Sequence, residues 1–306
     1  MMINRRDFLK KNALAAAGVA AGLAATGRSA AAAAKHDFKL LYAPNLGLMG
    51  NIEDPIDRLD AYAEWGFRAF EFNGLMNWDY ARAEKLRARI DKLNMTMGVF
   101  VANPAGWDKA GMVDPEQRPA FLEQVRKAVS YHKIVGNRWC TVITGPGMDQ
   151  PHRGLQRAWV VESLKRAAEV VDGTELILVV EPLNNLVNHP GYFLARSDEA
   201  YEIMKAVDSP QVKILFDIYH QQITEGNLIA NIRTFYDEIG YFQLADVPGR
   251  HEPGTGEINY RNVFQAIYKL GFKGVLGLEL SASLRQDPEG SIKVFESIVE
   301  CDSFTV

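Results

Sequence analysis

The sequence predicts an α/β protein that forms a single (β/α)8 TIM barrel, and three observations support this prediction. Short runs of β-branched and aromatic residues recur eight times, and stretches with helical apolar spacing separate them. Strands that alternate with helices favour a parallel sheet. Eight such units within residues 36–306 match the usual length of this barrel, about 250 residues. No break in composition divides this segment, so we expect one domain over residues 36–306.

The strands are predicted where apolar β-forming runs occur, at residues 39–43, 69–73, 96–101, 139–144, 176–181, 213–217, 240–245 and 274–279. Helices are predicted from apolar residues at spacings of three and four, around residues 56–63 and at 80–93, 115–135, 156–171, 197–207, 227–238, 260–270 and 288–299. Gly66, Gly136 and Gly271 each follow a helix and precede a strand, which is typical of helix ends. A doubly wound sheet is the alternative, but no glycine-rich phosphate turn follows Ala43 or Asn73.

The first 34 residues resemble an export signal. Arg5 and Arg6 are followed by Asp-Phe-Leu-Lys, an Ala-rich apolar run covers residues 13–25, and small residues fill 29–34. A basic head, a short apolar middle and an A-x-A tail are typical of a signal peptide, and the paired arginines resemble the twin-arginine type. A transit peptide or membrane anchor is the alternative, although the apolar run is weak for a stable span. We therefore predict a twin-arginine signal peptide over residues 1–34 and a periplasmic or exported protein.

The net charge of the chain limits the kinds of molecule that it is expected to bind. The chain has 34 Lys+Arg and 38 Asp+Glu, a net charge of −4, and cleavage near Ala34 would leave −8. Nucleic-acid binding needs a basic face, so we predict a small-molecule partner, a sugar or keto acid, and no nucleic acid. No stable membrane span is expected in the mature chain, and a homo-oligomer is left open.

Cys140 and Cys301 are expected to be unpaired thiols, although export would permit a disulfide.

Polar side chains follow four consecutive strands of the predicted barrel. Glu181, Asp217, Gln243 and Glu279 lie 36, 26 and 36 residues apart, each about one βα unit, and strand seven also carries Asp246. Active sites of such barrels lie at the carboxyl ends of the strands. Oxygen ligands of this kind suit Mg²⁺ or Mn²⁺. The pattern therefore indicates a divalent-metal site, with strand-end hydrogen bonds or ion pairs as the alternative.

Three segments resemble the xylose isomerase-like barrel superfamily, and in particular its hydroxypyruvate isomerase family. They read EPLNNLVNHPGYF from Glu181, FDIYH from Phe216 and FQLADVPGRHEPGTGEINY from Phe242. The third segment is long and nearly uninterrupted, so it is far more specific than a four-residue motif. The resemblance in layout covers the chain after the signal, whereas the resemblance in motifs covers mainly strands five to eight.

The resemblance implies a set of site residues. The metal ligands would be Glu181, Asp217, Gln243 and Glu279, and the metal would be Mn²⁺ or Mg²⁺. The two glutamates would also be the catalytic acid and base, and His220 and Arg250 would bind substrate oxygens. The third ligand is usually His in related ketose epimerases, and Gln243 fits the hydroxypyruvate isomerase branch. The loop after strand five, with Val187-Asn188-His189 before Pro190, differs from the shorter loop expected in that branch and leaves the substrate open.

Several of these residues have alternative interpretations. His220 could be a loop histidine with satisfied hydrogen bonds instead of a group that polarises a substrate oxygen. Arg250 could form a structural ion pair with Glu252 or Glu257 instead of binding substrate. Glu71, at the end of strand two, could reach the mouth of the barrel, but it is expected to pair with a nearby arginine instead.

The resulting prediction is a metal-dependent isomerase of the aldose–ketose type that acts through an enediolate. If the proton returned to the same carbon from the opposite face, the same residues would catalyse epimerisation, so a ketose 3-epimerase is the alternative. An exported sugar-binding protein is less consistent with the pair Glu181 and Glu279, because binding alone needs no acid and base. An endonuclease IV-like enzyme would need several histidine zinc ligands and a basic groove, whereas the six histidines are scattered and the charge is negative.

Overall fold

The computed structural model describes residues 36–103, 107–109, 111–284 and 289–306, and the predicted signal peptide lies outside these residues. Parallel strands form the wall of the fold. They are β1 (Leu41–Pro44), β2 (Ala69–Phe70), β3 (Thr96–Met97), β4 (Trp139–Val142), β5 (Ile177–Val180), β6 (Val212–Asp217), β7 (Ile239–Gln243) and β8 (Val275–Leu278). Six of them form one sheet in the order β1-β8-β7-β6-β5-β4, and β2 pairs with β3.

Two isolated bridges connect these two sheets. Asn45 bridges to Glu71, which joins β1 to β2, and Val101 bridges to Thr141, which joins β3 to β4. The eight strands therefore follow one another in chain order around a closed ring. This arrangement confirms the predicted single (β/α)8 barrel. Regular pairing of β2 and β3 is shorter than predicted, although hydrogen bonds from Phe72 N to Val99 O and from Val101 N to Asn73 O, both 3.2 Å, continue the contact.

Helices connect the strands on the outside. They are α1 (Arg58–Trp65), α2 (Tyr80–Leu93), α3 (Arg118–Val135), α4 (Arg153–Val171), α5 (Ser197–Val207), α6 (Ile218–Thr224), α7 (Leu228–Phe235), α8 (Tyr260–Lys269) and α9 (Gly290–Asp302). Gly66 and Gly136 end α1 and α3 in the left-handed region, with φ of 99° and 69°, as their positions predicted. The short helix α6 was not predicted, and it begins directly at the end of β6.

An apolar plug fills the barrel beneath the carboxyl ends of the strands. It takes one buried residue from each strand or its extension, namely Ala43, Ala69, Val99, Trp139, Val179, Leu215, Tyr241 and Val275. A larger apolar cluster, which includes Leu178 and Phe216, packs the outer faces of the strands against the helices. The alternation along each strand therefore separates an inner core from an outer one.

Two further predictions concern membranes and cysteines. Among the described residues, no helix is both long and apolar enough to cross a bilayer. Cys140 is a buried free thiol and Cys301 is a partly buried one. Burial raises the pKa of both thiols, which keeps them in the less reactive protonated form.

Candidate active site

A polar layer lies directly above the apolar plug. Alternate residues of a strand face the same side, so the side chains two positions after the plug residues of β2, β5, β6 and β7 also point into the barrel. These side chains are Glu71, Glu181, Asp217 and Gln243. All four are at most 5% exposed. On β8 the equivalent position is Gly277, and Glu279 follows one layer higher. Side chains from separate strands thus converge at the carboxyl end of the barrel.

One arginine contacts two acids of this layer. Arg250 Nη2 lies 2.7 Å from Glu279 Oε2 and 3.5 Å from Asp217 Oδ2, and Arg250 Nε donates to the Glu279 carbonyl at 3.2 Å. The other Glu279 oxygen accepts from Asn73 Nδ2 at 2.9 Å. The alternative ion pair of Arg250 with Glu252 or Glu257 is wrong. The loop turns Arg250 inward to the carboxyl cluster instead.

Burial and mutual repulsion raise the pKa values of the buried acids. Burial raises the pKa of Glu181, and the charges of Glu279 and Asp217 raise it further. Burial also raises the pKa of Asp217, to about 7, although Arg250 opposes this shift. Burial alone would lower the pKa of Arg250, but the carboxylates around it outweigh this effect and raise it. In their ionised forms, the three carboxyl groups therefore carry more negative charge than the single arginine can neutralise.

His220 is held as a neutral imidazole with its proton on Nε2. Its Nδ1 lies 3.2 Å from the backbone N–H of Asn184, which can only donate, so Nδ1 is an acceptor. Burial and the charge of Arg250 lower the pKa of His220. Nε2 lies 3.8 Å from Glu181 Oε1 and 3.6 Å from Asp217 Oδ2, and it has no hydrogen-bond partner within the described residues. The structure thus leaves a buried N–H donor beside two carboxyl groups.

The loop between β5 and α5 holds this imidazole. Asn184 Nδ2 contacts His220 Nδ1 at 2.6 Å and donates to Asn188 Oδ1 at 2.8 Å, and Tyr219 Oη donates to the same Asn188 oxygen at 3.0 Å. His189, from the segment that departs from the expected loop, lies with its ring 5.4 Å from that of His220. Sequence reasoning missed the role of Asn184, because its partner lies 36 residues away on another unit.

Aromatic rings form a wall beside this loop. Trp107 stacks on His189 with ring centroids 5.1 Å apart, and Tyr192 packs against His189 at 5.2 Å. Trp107 is 42% exposed, so it borders solvent at the rim of the barrel mouth. The ring of Tyr219 lies 5.1 Å from the guanidinium carbon of Arg250. These rings give the mouth one apolar side next to the charged cluster.

Asp246 shapes the loop that carries Arg250. Asp246 Oδ1 accepts backbone N–H groups of Val247 and Ile258, and Oδ2 accepts those of Gly254 and Gly256, at distances between 2.8 and 3.1 Å. A Cβ at Gly256 would lie 2.1 Å from the Val247 carbonyl oxygen, so this position has no room for a side chain. Arg250 itself has a φ of 58°, and its N–H donates to the Asp246 carbonyl. One buried carboxylate therefore fixes the path of the whole loop.

Glu71 belongs to the polar layer, and no arginine in the described part of the chain contacts it. Its carboxyl group accepts from Tyr241 Oη at 3.2 Å and from Gln243 Nε2 at 3.3 Å. The expectation that Glu71 pairs with an arginine is therefore wrong. Instead, the neutral side chains of Tyr241 and Gln243 on β7 donate hydrogen bonds to Glu71 across the barrel interior. The position of Glu71 at the end of an apolar strand was visible in the sequence, whereas its partners, 170 and 172 residues away, were not.

The donor set fits a divalent cation. Glu181 Oε1 and Gln243 Oε1 are buried acceptors without a hydrogen-bond partner in the described part of the chain. Glu181, Asp217 and His220 offer atoms that all lie within 4.8 Å of one another. His220 is the weakest of these candidates, because its Nε2 carries the proton. The remaining oxygens are the ligand type that Mg²⁺ and Mn²⁺ prefer.

A family model described as "Xylose isomerase-like TIM barrel" matches residues 59–298. The chain belongs to this family. It is 36% identical over 241 residues to 2-oxo-tetronate isomerase of Cupriavidus necator, which covers 78% of this chain and 91% of that protein. It is 30% identical over 241 residues to hydroxypyruvate isomerase of Escherichia coli, covering 78% and 93%. These relatives of the xylose isomerase-like family confirm the prediction of an enzyme of the isomerase class.

Solved structures of the same barrel superpose on most of the chain. The structure of an AP endonuclease, family 2, from Brucella melitensis has 29% identity and a TM-score of 0.70, covering 78% of this chain and 92% of that one. The E. coli 3-keto-D-glucoside 4-epimerase has a TM-score of 0.71 at 21% identity, covering 87% and 100%. At 21% identity, the likeness to the epimerase shows the xylose isomerase-like fold alone.

The charge imbalance predicts a pH-dependent response to added cation. The folded state binds more protons than the unfolded state between pH ~4 and ~7 because the pKa of Asp217 rises to about 7, so stability falls as pH rises through this window. We expect chelator-treated protein to melt at lower temperature at pH 8 than at pH 5.5. Saturating Mn²⁺ should raise the melting temperature by about 5–10 °C at pH 8 and by less at pH 5.5.

Differential scanning fluorimetry checks this prediction, with Asp217→Asn as the comparison. The variant should lose much of the difference between the two pH values and most of the Mn²⁺ response. Equal melting temperatures for the unsubstituted protein at both pH values, with no response to Mn²⁺, would contradict it.

A second prediction concerns the loop held by Asp246. Asp246→Ala leaves four backbone donors without their acceptor, which should lower the free energy of unfolding by about 2–3 kcal/mol. Trypsin should then cleave faster after Arg250. Glu257→Ala, an exposed change in the same loop, is the matched control and should digest like the original protein. Unchanged digestion of Asp246→Ala would refute the anchoring role.

Proposed function

We propose that this chain is a divalent-metal-dependent isomerase that interconverts an aldehyde and a ketone form of a small hydroxy-keto acid or sugar. The observation that carries this proposal is the convergence of carboxyl and amide oxygens from four neighbouring strand ends, three of them on buried side chains, in a chain related to two isomerases over most of its length. The substrate class follows from those relatives, a 2-oxo-tetronate isomerase and a hydroxypyruvate isomerase.

The proposed metal ligands are Glu181, Asp217, Gln243 and Glu279. When bound, Mn²⁺ or Mg²⁺ supplies Lewis-acid polarisation of the carbonyl and the adjacent hydroxyl, which acidifies the hydrogen on the hydroxyl-bearing carbon. Glu181 Oε1 and Gln243 Oε1 have no hydrogen-bond partner among the described residues, and this supports the assignment because a buried polar atom without a partner is costly. The contacts of Glu279 with Asn73 and Arg250 hold its carboxylate beside the same cluster.

Glu181 and Glu279 are the proposed acid and base. One of them takes the proton from the hydroxyl-bearing carbon, which leaves the substrate as an enediolate. A proton then returns to the former carbonyl carbon, and a proton moves from one substrate oxygen to the other, so the atoms balance without any further reactant. Burial raises the pKa of Glu181, which makes its carboxylate a stronger base than an exposed glutamate.

His220 and Arg250 are the proposed substrate-binding residues. The Nε2–H of His220 is a buried donor without a partner among the described residues, and a developing negative charge on a substrate oxygen would accept from it. Arg250 uses Nε and Nη2 for its contacts with Glu279 and Asp217, so Nη1 is the group we assign to a substrate carboxylate or hydroxyl. A positive charge in this position favours an acidic substrate over a neutral one.

A test of the reaction uses substrate in deuterated buffer with Mn²⁺. We expect solvent deuterium to enter hydroxypyruvate or 2-oxotetronate at one carbon, as followed by NMR. Glu181→Gln and Glu279→Gln should each slow this exchange by about 10²–10⁴-fold, because a positioned acid or base contributes that much. Glu257→Gln, an exposed change in the β7–α8 loop, is the matched control.

The position of the label separates the two possible outcomes of proton return. Deuterium at the neighbouring carbon identifies an isomerase, and deuterium with inversion at the original carbon of a keto-sugar identifies an epimerase. Exchange that is insensitive to both glutamine substitutions would contradict the proposed roles of the glutamates.

We also propose that the protein is exported by the twin-arginine route, on the basis of residues 1–34 alone. The test is to express the full chain and a variant with Arg5→Lys and Arg6→Lys, and to measure the amount and N-terminal mass of each in periplasmic and cytoplasmic fractions. The original chain should reach the periplasm with an N-terminus near residue 35, and the variant should stay in the cytoplasm. An intact N-terminus in the cytoplasm for both chains would overturn the proposal.

A further inference from the structure

Glu71 is a buried acid for which the proposed reaction has no use. It is fully buried at the barrel axis, one layer above the apolar plug. Its Oε2 lies 3.2 Å from Tyr241 Oη and 3.3 Å from Gln243 Nε2. A carboxyl group in the barrel interior costs free energy unless its hydrogen bonds offset that cost. Its contacts therefore suggest a role that acts through Gln243.

The barrel makes space for this group at two glycines. A Cβ at Gly277 of β8 would lie 1.8 Å from Glu71 Oε2, and a Cβ at Gly98 would lie 2.1 Å from Tyr241 Oη. Any side chain at either position would displace the acid or the phenol. The Glu71 carboxyl group and the Tyr241 hydroxyl group therefore occupy space that exists only because glycines lie beside them. A bulkier side chain would not fit in place of either residue.

The hydrogen bonds of this network run in one direction. The backbone N–H of Val99 can only donate, and it points at Tyr241 Oη at 3.4 Å. The Tyr241 hydroxyl hydrogen is then free to donate to Glu71 Oε2, which makes that oxygen an acceptor. Gln243 accordingly turns its Nε2–H₂ end to Glu71. Its Oε1, which is buried and has no partner within the described residues, is left as the free end of the amide.

We propose that Glu71 is a positioning residue that holds the Gln243 amide with its oxygen available to the cation. This inference rests on the proposed metal site. The two ends of an amide are nearly equal in size, but only the oxygen binds a hard cation, so an amide ligand needs a partner that selects its orientation. Carboxylates that hydrogen-bond to a metal-binding imidazole play a comparable part in other metal sites.

The experiment measures Mn²⁺ affinity without substrate, from the EPR signal of free Mn²⁺. In Glu71→Gln, the new amide can donate to Gln243 Oε1, so Gln243 also adopts the reversed orientation with nitrogen at the free end. We expect the dissociation constant for Mn²⁺ to rise about tenfold or more. Glu252→Gln is the matched control, since Glu252 is also a buried acid of this face but binds Ser283, and its Mn²⁺ affinity should not change.

A double variant separates positioning from general damage to the barrel. Glu71→Gln combined with Gln243→Glu exchanges the amide and the carboxylate. The amide introduced at position 71 can then donate to one oxygen of the carboxylate introduced at position 243, and the other oxygen is free for the cation. We expect this exchange to restore the dissociation constant to within about threefold of the original value. A loss of affinity caused only by disturbed packing would not be reversed by a second change at the same place.

The outcomes separate this inference from the proposed function. If the unsubstituted protein binds no Mn²⁺, both fail. If it binds Mn²⁺ and Glu71→Gln binds equally well, or if the exchange gives no recovery, the metal site stands and the positioning role is overturned. If Glu71→Gln does not fold, Tyr241→Phe decides, because it removes only the hydroxyl that donates to Glu71. A threefold or greater rise in the dissociation constant then supports the role, and an unchanged value overturns it.

Discussion

Three carboxyl groups at the mouth of the barrel share the positive charge of one guanidinium. Glu181 and Asp217 are buried, Glu279 is partly exposed, and Arg250 contacts two of the three acids. A buried carboxylate is tolerated only with a partner of opposite charge or several hydrogen-bond donors, and one arginine is too little for this set. The hydrogen bonds from the surrounding loops and the proposed binding of a divalent cation can both be understood as responses to this imbalance.

The loops hold several groups of this site in place through hydrogen bonds. Asn73 holds Glu279, Asn184 holds His220, and Asp246 holds the backbone that presents Arg250. These contacts come from units that are far apart in the chain, so the closed barrel is what brings them into range. These hydrogen bonds restrain the side chains of the site without cancelling the net negative charge of the three carboxyl groups and Arg250.

The repeating pattern of strands and helices was sufficient to predict the barrel, because period-two and period-3.6 patterns are local properties of the chain. The same alternation predicted that Glu181, Asp217 and Gln243 would end neighbouring strands. The partner of Glu71 was predicted wrongly, and so was the alternative ion pair of Arg250 with Glu252 or Glu257, because both depend on contacts across the barrel or within an irregular loop. Helix α6 was missed because its seven residues are too few for periodicity to show.

Asp217 links the end of strand β6, the first turn of helix α6 and the charged cluster of the site through its two carboxylate oxygens. Its Oδ1 accepts the N–H groups of Tyr219 and His220 and so begins helix α6, whereas its Oδ2 faces Arg250 and the His220 ring. The carboxylate cannot rotate toward a ligand without loosening the first turn of that helix. The imidazole would have to follow any such displacement. Binding of the proposed ion by Asp217 would therefore change the direction in which the Nε2–H of His220 points.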